Sequence, residues 1–149
     1  MNIVELLSSK KLTISSAESF TGGLFASLVT DNSGASSVFK GGIVCYTNEI
    51  KINVLGVNKD IIDEYGAVSK QCAESMVINC QKLFKSDIAV SFTGNAGPTA
   101  SENKKVGEVY IGILINNDLN VYELELTGHR EEIKQKACTF ILDKIREKI

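Results

Sequence analysis

Ser19 stands in the segment Ala17-Glu18-Ser19-Phe20-Thr21-Gly22-Gly23, directly after a β-leaning stretch from Lys11 to Ala17. In residues 23–31 that follow, Leu24 and Leu28, and Phe25 and Val29, recur at i, i+4, the spacing of a helix packed on a sheet. The segment between is therefore a strand-to-helix turn. Such a turn presents the serine hydroxyl at a helix N-terminus beside unpaired backbone N–H groups, which can hold an oxyanion or a phosphate. The same turn is also served if Ser19 or Thr21 does no more than cap the next helix.

A serine nucleophile needs a base. His129 is the only histidine, and no Ser-His-Asp pattern surrounds it, so the remaining route is a Ser-Lys pair. Lys51 is the best placed lysine. Asn48 reads as an N-cap, with Glu49 in the first turn, which puts Lys51 near the third position of a short helix. There the positive end of the helix dipole opposes its charge, and burial together with that helix N-terminus can favour the neutral amine. A solvated surface lysine is the competing reading. Thr93-Gly94-Asn95-Ala96-Gly97-Pro98 offers small residues whose backbone can approach a ligand closely, although it is neither a Walker loop nor a dinucleotide fingerprint. Arg130, two residues after Gly128, can clamp a phosphate or carboxylate, or stay solvated in the first turn of the last helix.

The elements that must position these residues follow from periodicity. A first helix carries Ile3, Val4, Leu6 and Leu7. Gly41 to Thr47 reads as a second strand, and Asn58 and Ser69 are further N-caps, the latter opening a helix with Ala73, Met76, Val77, Cys80, Leu83 and Phe84 as its apolar stripe. Asp87 to Phe92 is a nearly continuous apolar strand of the kind covered on both faces. Val106–Ile115 and Leu119–Leu126 form an antiparallel hairpin around Asn116-Asn117-Asp118, and a terminal helix with Ile133, Ala137, Phe140, Ile141 and Ile145 on one face follows Arg130. The expected fold is α/β: a three-layer α/β/α sandwich around a mixed, mostly parallel five-stranded sheet, with residues 1–149 as one domain. In such sheets sites form beyond the carboxyl ends of strands, where Ser19–Gly23, Tyr46–Lys51 and Thr93–Pro98 all fall.

Composition narrows the function classes. The 149 residues are 44% hydrophobic and 23% charged with one proline, which suits a single core and excludes disordered and collagen-like readings. Sixteen Lys+Arg balance 18 Asp+Glu without a block of like charge, which disfavours nucleic-acid binding through a broad basic face. The longest apolar run, Val109 to Ile115, is far short of the ~20 residues a membrane helix needs. The N-terminus has an acidic Glu5 where a secretory signal would be basic and then apolar, so a cytoplasmic location is expected. Cys45, Cys72, Cys80 and Cys138 include no Cys-x-x-Cys pair and read as buried, reduced thiols rather than metal ligands.

Taken together, the motifs resemble one family. The blocks Ala17–Gly23, Gly34-Ala35-Ser36, Gly41-Gly42, Tyr46-x-Asn48-x-x-Lys51, Leu55-Gly56-Val57, Gly66–Ser69, Thr93-Gly94-x-Ala96-Gly97-Pro98, Val106-Gly107 and Gly128-x-Arg130 are similar, in this order, to the C-terminal domain of the competence/damage-inducible protein CinA. That family includes stand-alone nicotinamide-nucleotide amidohydrolases. They convert nicotinamide mononucleotide to nicotinate mononucleotide and ammonia, recycling pyridine nucleotides. The resemblance implies Ser19 as nucleophile and Lys51 as its general base. It also implies substrate contacts at Glu18, Thr21, Gly22, Gly23, Tyr46, Asn48, Thr93, Gly94 and Arg130, with no metal or cofactor and a homodimer. The loop after Pro98 departs from the family's usual Asp-Gly-Gly, reading Thr99-Ala100-Ser101, with Lys104-Lys105 before Val106. That departure motivates an alternative: a nucleotide-binding or protein-interaction module that keeps the fold and pocket without turnover.

Overall fold

A computed structural model describes residues 1–149. Helix α1 (Ile3–Ser9) starts at a capping box: the Asn2 side chain accepts from Glu5 N–H, and Asn2 N–H donates to the Glu5 carboxylate, both at 2.9 Å. Lys11 then takes a left-handed conformation (φ 57°), so strand β1 begins only at Ile14 and runs to Glu18. Helix α2 (Leu24–Thr30) and a 3-10 turn at Ala35–Ser37 lead to strand β2 (Phe39–Val44). Three helices follow, α3 (Asn48–Asn53), α4 (Lys59–Tyr65) and α5 (Lys70–Phe84), and then strand β3 (Ile88–Gly94). Strands β4 (Glu108–Ile115) and β5 (Asp118–Glu125) form the hairpin, and helix α6 (Arg130–Lys148) closes the chain.

The sheet order is β2-β1-β3-β4-β5. Strand β1 lies between β2 and β3, parallel to both, while β4 pairs antiparallel with β3 and with β5. Four strands thus point one way and β4 the other, giving the expected mixed sheet. Period-2 alternation along β3 feeds two separate cores. Ile88, Val90 and Phe92 pack with Leu7, Phe25, Val29, Ile133, Ile141 and Ile145 beneath α1, α2 and α6. Ala89 faces the other way, into a core with Met76, Val77 and Cys80 of α5 and Leu55, Val57 and Ile62 of the α3–α4 region. On that second face the sheet carries small residues, and α5 approaches closely: Ser91 Oγ donates to Ala73 O at 2.8 Å, and a Cβ at Gly112 would lie 3.1 Å from the same carbonyl. The result is the expected α/β/α sandwich.

Several boundaries differ from the sequence expectation. Strand β2 starts at Phe39 and stops at Val44, earlier than Gly41 to Thr47. Thr47, not Asn48, caps α3; its hydroxyl accepts from Ile50 N–H at 3.3 Å, and Asn48 becomes the first helical residue. Both residue types cap well, and Thr47 is the one with extended, non-helical backbone (φ −99°, ψ 158°). Strand β4 begins at Glu108, two residues after Val106, and the hairpin turn shortens to Asn116-Asn117. Asn58 and Ser69 cap α4 and α5 as expected. All four cysteines are buried and unpaired. No helix is long and apolar enough to cross a membrane.

Candidate active site

The end of β1 is fixed by its two neighbours. Ser19 N–H donates to Phe92 O of β3, and Cys45 N–H beyond β2 donates to Glu18 O, both at 2.9 Å. Beyond Ser19 the chain turns through two left-handed glycines, Gly22 (φ 61°) and Gly23 (φ 103°), a conformation in which an L side chain is strained. Gly22 N–H closes this turn on Ser19 O at 3.0 Å, whereas the N–H groups of Phe20, Thr21 and Gly23 donate to no protein acceptor. Of the three residues only Phe20 lines the cleft, where its N–H is available to an anion.

Lys51 reaches the same point from α3. Its Nζ lies 2.8 Å from Ser19 Oγ and 3.2 Å from Tyr46 O, and Ser19 Oγ is itself 3.3 Å from that carbonyl. These three atoms form a closed triangle. Lys51 is only 2% exposed and Ser19 7%, and no carboxylate pairs with the amine. Burial is the largest cause holding the Lys51 pKa below its ordinary value, opposed by Cys45, Cys72 and Glu102. Of the two causes the sequence offers, burial and the helix N-terminus, burial is the one that dominates; Lys51 is the fourth of the six residues of α3 and falls in its last turn. Burial also pushes the adjacent Cys72 thiol up to about 12 and raises that of Cys45, so both remain neutral thiols.

A cleft of about 390 Å³ opens over the pair. It is bounded by all three turns singled out in the sequence, and includes Tyr46, Asn48, Thr93, Gly94 and Arg130. Thr93 Oγ1 donates to Ala67 O at 2.7 Å, tying the end of β3 to the α4–α5 connection. Arg130 bridges two walls, one nitrogen donating to Gly97 O at 2.5 Å and another to Tyr46 Oη at 2.8 Å. Its fork carries five N–H donors, so most remain free for a ligand. Gly94 has a packing reason as well: a Cβ there would lie 2.8 Å from Glu108 O.

Four expected contacts sit elsewhere. Thr21, Gly22 and Gly23 belong to the turn behind Ser19 and do not line the cleft. Glu18 is 1% exposed and points into the protein, where its carboxylate accepts from Phe25 N–H at 2.9 Å and Ala26 N–H at 3.1 Å in the first turn of α2. It holds a helix rather than facing the cleft. Conversely, the lining includes Asn95 and Glu102, which the sequence did not nominate. Asn95 lies inside the glycine-containing loop that was singled out; Glu102 belongs to no motif, and only its distance from Pro98 hints at it.

Fold and site together define a class: an α/β/α sandwich carrying a buried serine–lysine pair at the carboxyl ends of its parallel strands. The CinA C-terminal domain model matches residues 1–149. The chain belongs to the CinA C-terminal domain family. It is 50% identical over 143 residues to a putative competence-damage inducible protein of Bacillus subtilis, covering 93% of this chain and 34% of that protein. For the corresponding Bacillus mycoides protein the identity is 48% over 138 residues, with 92% and 34% covered. The chain thus spans about a third of the length of these relatives. Among solved structures, the competence damage-inducible protein A of Klebsiella pneumoniae superposes with a TM-score of 0.95 at 26% identity, covering 98% of this chain and 91% of that one. The competence/damage inducible protein CihA of Agrobacterium tumefaciens gives 0.93 at 33% identity, covering 97% and 90%.

Proposed function

We propose that this domain is an amidohydrolase acting on the carboxamide of nicotinamide mononucleotide, releasing ammonia and nicotinate mononucleotide. The observation that carries the reading is the 2.8 Å contact between a buried serine hydroxyl and a buried lysine amine that has no counter-ion. With the amine neutral, the Ser19 hydroxyl donates to Nζ, and Nζ donates to Tyr46 O. Ser19 Oγ then attacks the carboxamide carbon while Nζ takes its proton. The free N–H of Phe20, the residue beside Ser19 that also lines the cleft, is the candidate donor to the oxyanion. Collapse of the tetrahedral adduct breaks the C–N bond, and Nζ returns the proton to the leaving nitrogen, which departs as ammonia. Water, deprotonated by the same amine, hydrolyses the acyl ester and restores Ser19. The cleft volume falls in the range of small-ligand sites, and Arg130 supplies spare donors for the nucleotide phosphate.

The test is ammonia release from nicotinamide mononucleotide by the wild-type chain and by Ser19→Ala. Release that disappears in the variant, with nucleotide binding retained, is expected. Binding without Ser19-dependent release in the wild type would replace the enzyme by a nucleotide-binding module.

A further inference from the structure

One ionic group lining the cleft takes no part in the steps above. Glu102 lies in the loop that departs from the family pattern, yet its carboxylate is held from both oxygens: it accepts from Ala67 N–H at 2.7 Å and from Val68 N–H at 2.9 Å. Glu102 and Asn103 both take left-handed backbone (φ 58° and 57°), and the preceding residue is anchored where Asn95 Oδ1 accepts from Ser101 Oγ at 3.0 Å. Gly66 completes the seat, since a Cβ there would come within 2.9 Å of Glu102 Oε2. The position of this charge is built rather than incidental.

Two N–H groups on separate oxygens, the pattern that also holds Glu18, make Glu102 a pin between the loop and the α4–α5 connection. A carboxylate offers about four lone-pair sites, of which the two N–H groups use half, and this one borders the ligand space. Its field also reaches the Lys51 amine from across the cleft lining. Once Lys51 is neutral, the only charged groups among the lining residues are Glu102 and Arg130, one of each sign, on segments far apart in sequence. A ligand complementary to that wall carries one cationic and one anionic group.

We propose that Glu102 is a specificity-determining residue that selects a cationic ring, an N-alkylpyridinium carboxamide, over its uncharged counterpart, while Arg130 receives the anionic group. The inference rests on the amidohydrolase reading and names the feature of the substrate that this chain recognises. A ring without the positive charge, of the same shape and with the same phosphate, loses the attraction and keeps every other contact.

The experiment measures calorimetric binding to the Ser19→Ala chain of nicotinamide mononucleotide and of the C-linked benzamide riboside 5′-phosphate, whose planar aromatic ring is neutral. The expected preference for the cationic form is about tenfold, the scale of an ion pair in a partly solvated cleft. Glu102→Gln should bring the ratio close to one, and Glu102→Asp should restore most of it, with the thermal midpoint recorded for each. Equal affinities in the parent overturn the proposal before any change at position 102, and so does a ratio that survives Glu102→Gln. Weakening of both ligands in proportion would make Glu102 a structural pin only. Failure of the catalytic reading looks different: the wild type would release no ammonia while the charge preference stayed in place.

Discussion

Two charged side chains are buried in this protein, Glu18 and Lys51, and they are held in opposite ways. Glu18 sits at the N-terminus of α2, where two backbone N–H groups and the positive end of the helix dipole meet its charge. Lys51 has only a hydroxyl and a carbonyl within reach, both dipoles without formal charge. The first arrangement stabilises an ion and so serves the fold. The second penalises the ion and favours the neutral amine, which is what a general base needs. Residues 18 and 19 are adjacent, so a single strand end delivers a structural carboxylate to one side and the candidate nucleophile to the other.

The comparison can be broken most severely at Lys51. Lys51→Met should lower ammonia release by roughly 10²–10⁴-fold, the usual share of general acid–base catalysis, with the circular dichroism spectrum preserved. A turnover number within a factor of ~2 of wild type removes Lys51 from the mechanism. Glu18→Ala should do the converse, costing about 2–3 kcal/mol of stability by leaving two N–H groups unmet; urea titration measures it. The smallest effect separates the two charges by pH. Because the folded-state Lys51 pKa lies below its unfolded value, the unfolded chain binds the extra proton between the two. The sign is that stability rises with pH through that window, and that the Lys51→Met midpoint exceeds the wild type's by more at neutral pH than at alkaline pH. The rate should rise with pH over the same window, and a flat rate profile from about pH 6 to 9 counts against a neutral-amine base.

Much of this was legible because period and spacing are local properties. The apolar run at 87–92, the i, i+4 pairs of α2 and the stripe of α5 each declare their element, and together they place three turns at one edge of the sheet. Local spacing and the resemblance both marked Ser19 and Lys51, and the fold brings them into contact. What stayed hidden depends on partners remote in sequence. Nothing in Ala17-Glu18-Ser19 says that the carboxylate turns back to Phe25 and Ala26 while the hydroxyl faces Lys51. Burial of Lys51 was expected beside its helix position, but the packing around α3 that supplies it is not written in any local spacing. Glu102 was invisible for the same reason: its seat is made by Gly66, Ala67 and Val68, more than thirty residues earlier.

The ladder around β1 has a consequence for how such a domain can change. Ala17 is paired with Ile43 on one side and Ser91 on the other, and Glu18 with Val44 and Phe92. The height of the serine relative to both flanking turns is therefore set by hydrogen-bonded rungs spaced ~3.3 Å apart, not by loop conformation. Residues 99–105 lie outside those rungs, so they can be exchanged to retune what the cleft accepts without moving the reacting atoms. Diversification and alignment are uncoupled here, and a graft of that stretch from a relative should transfer preference while leaving the dyad in register.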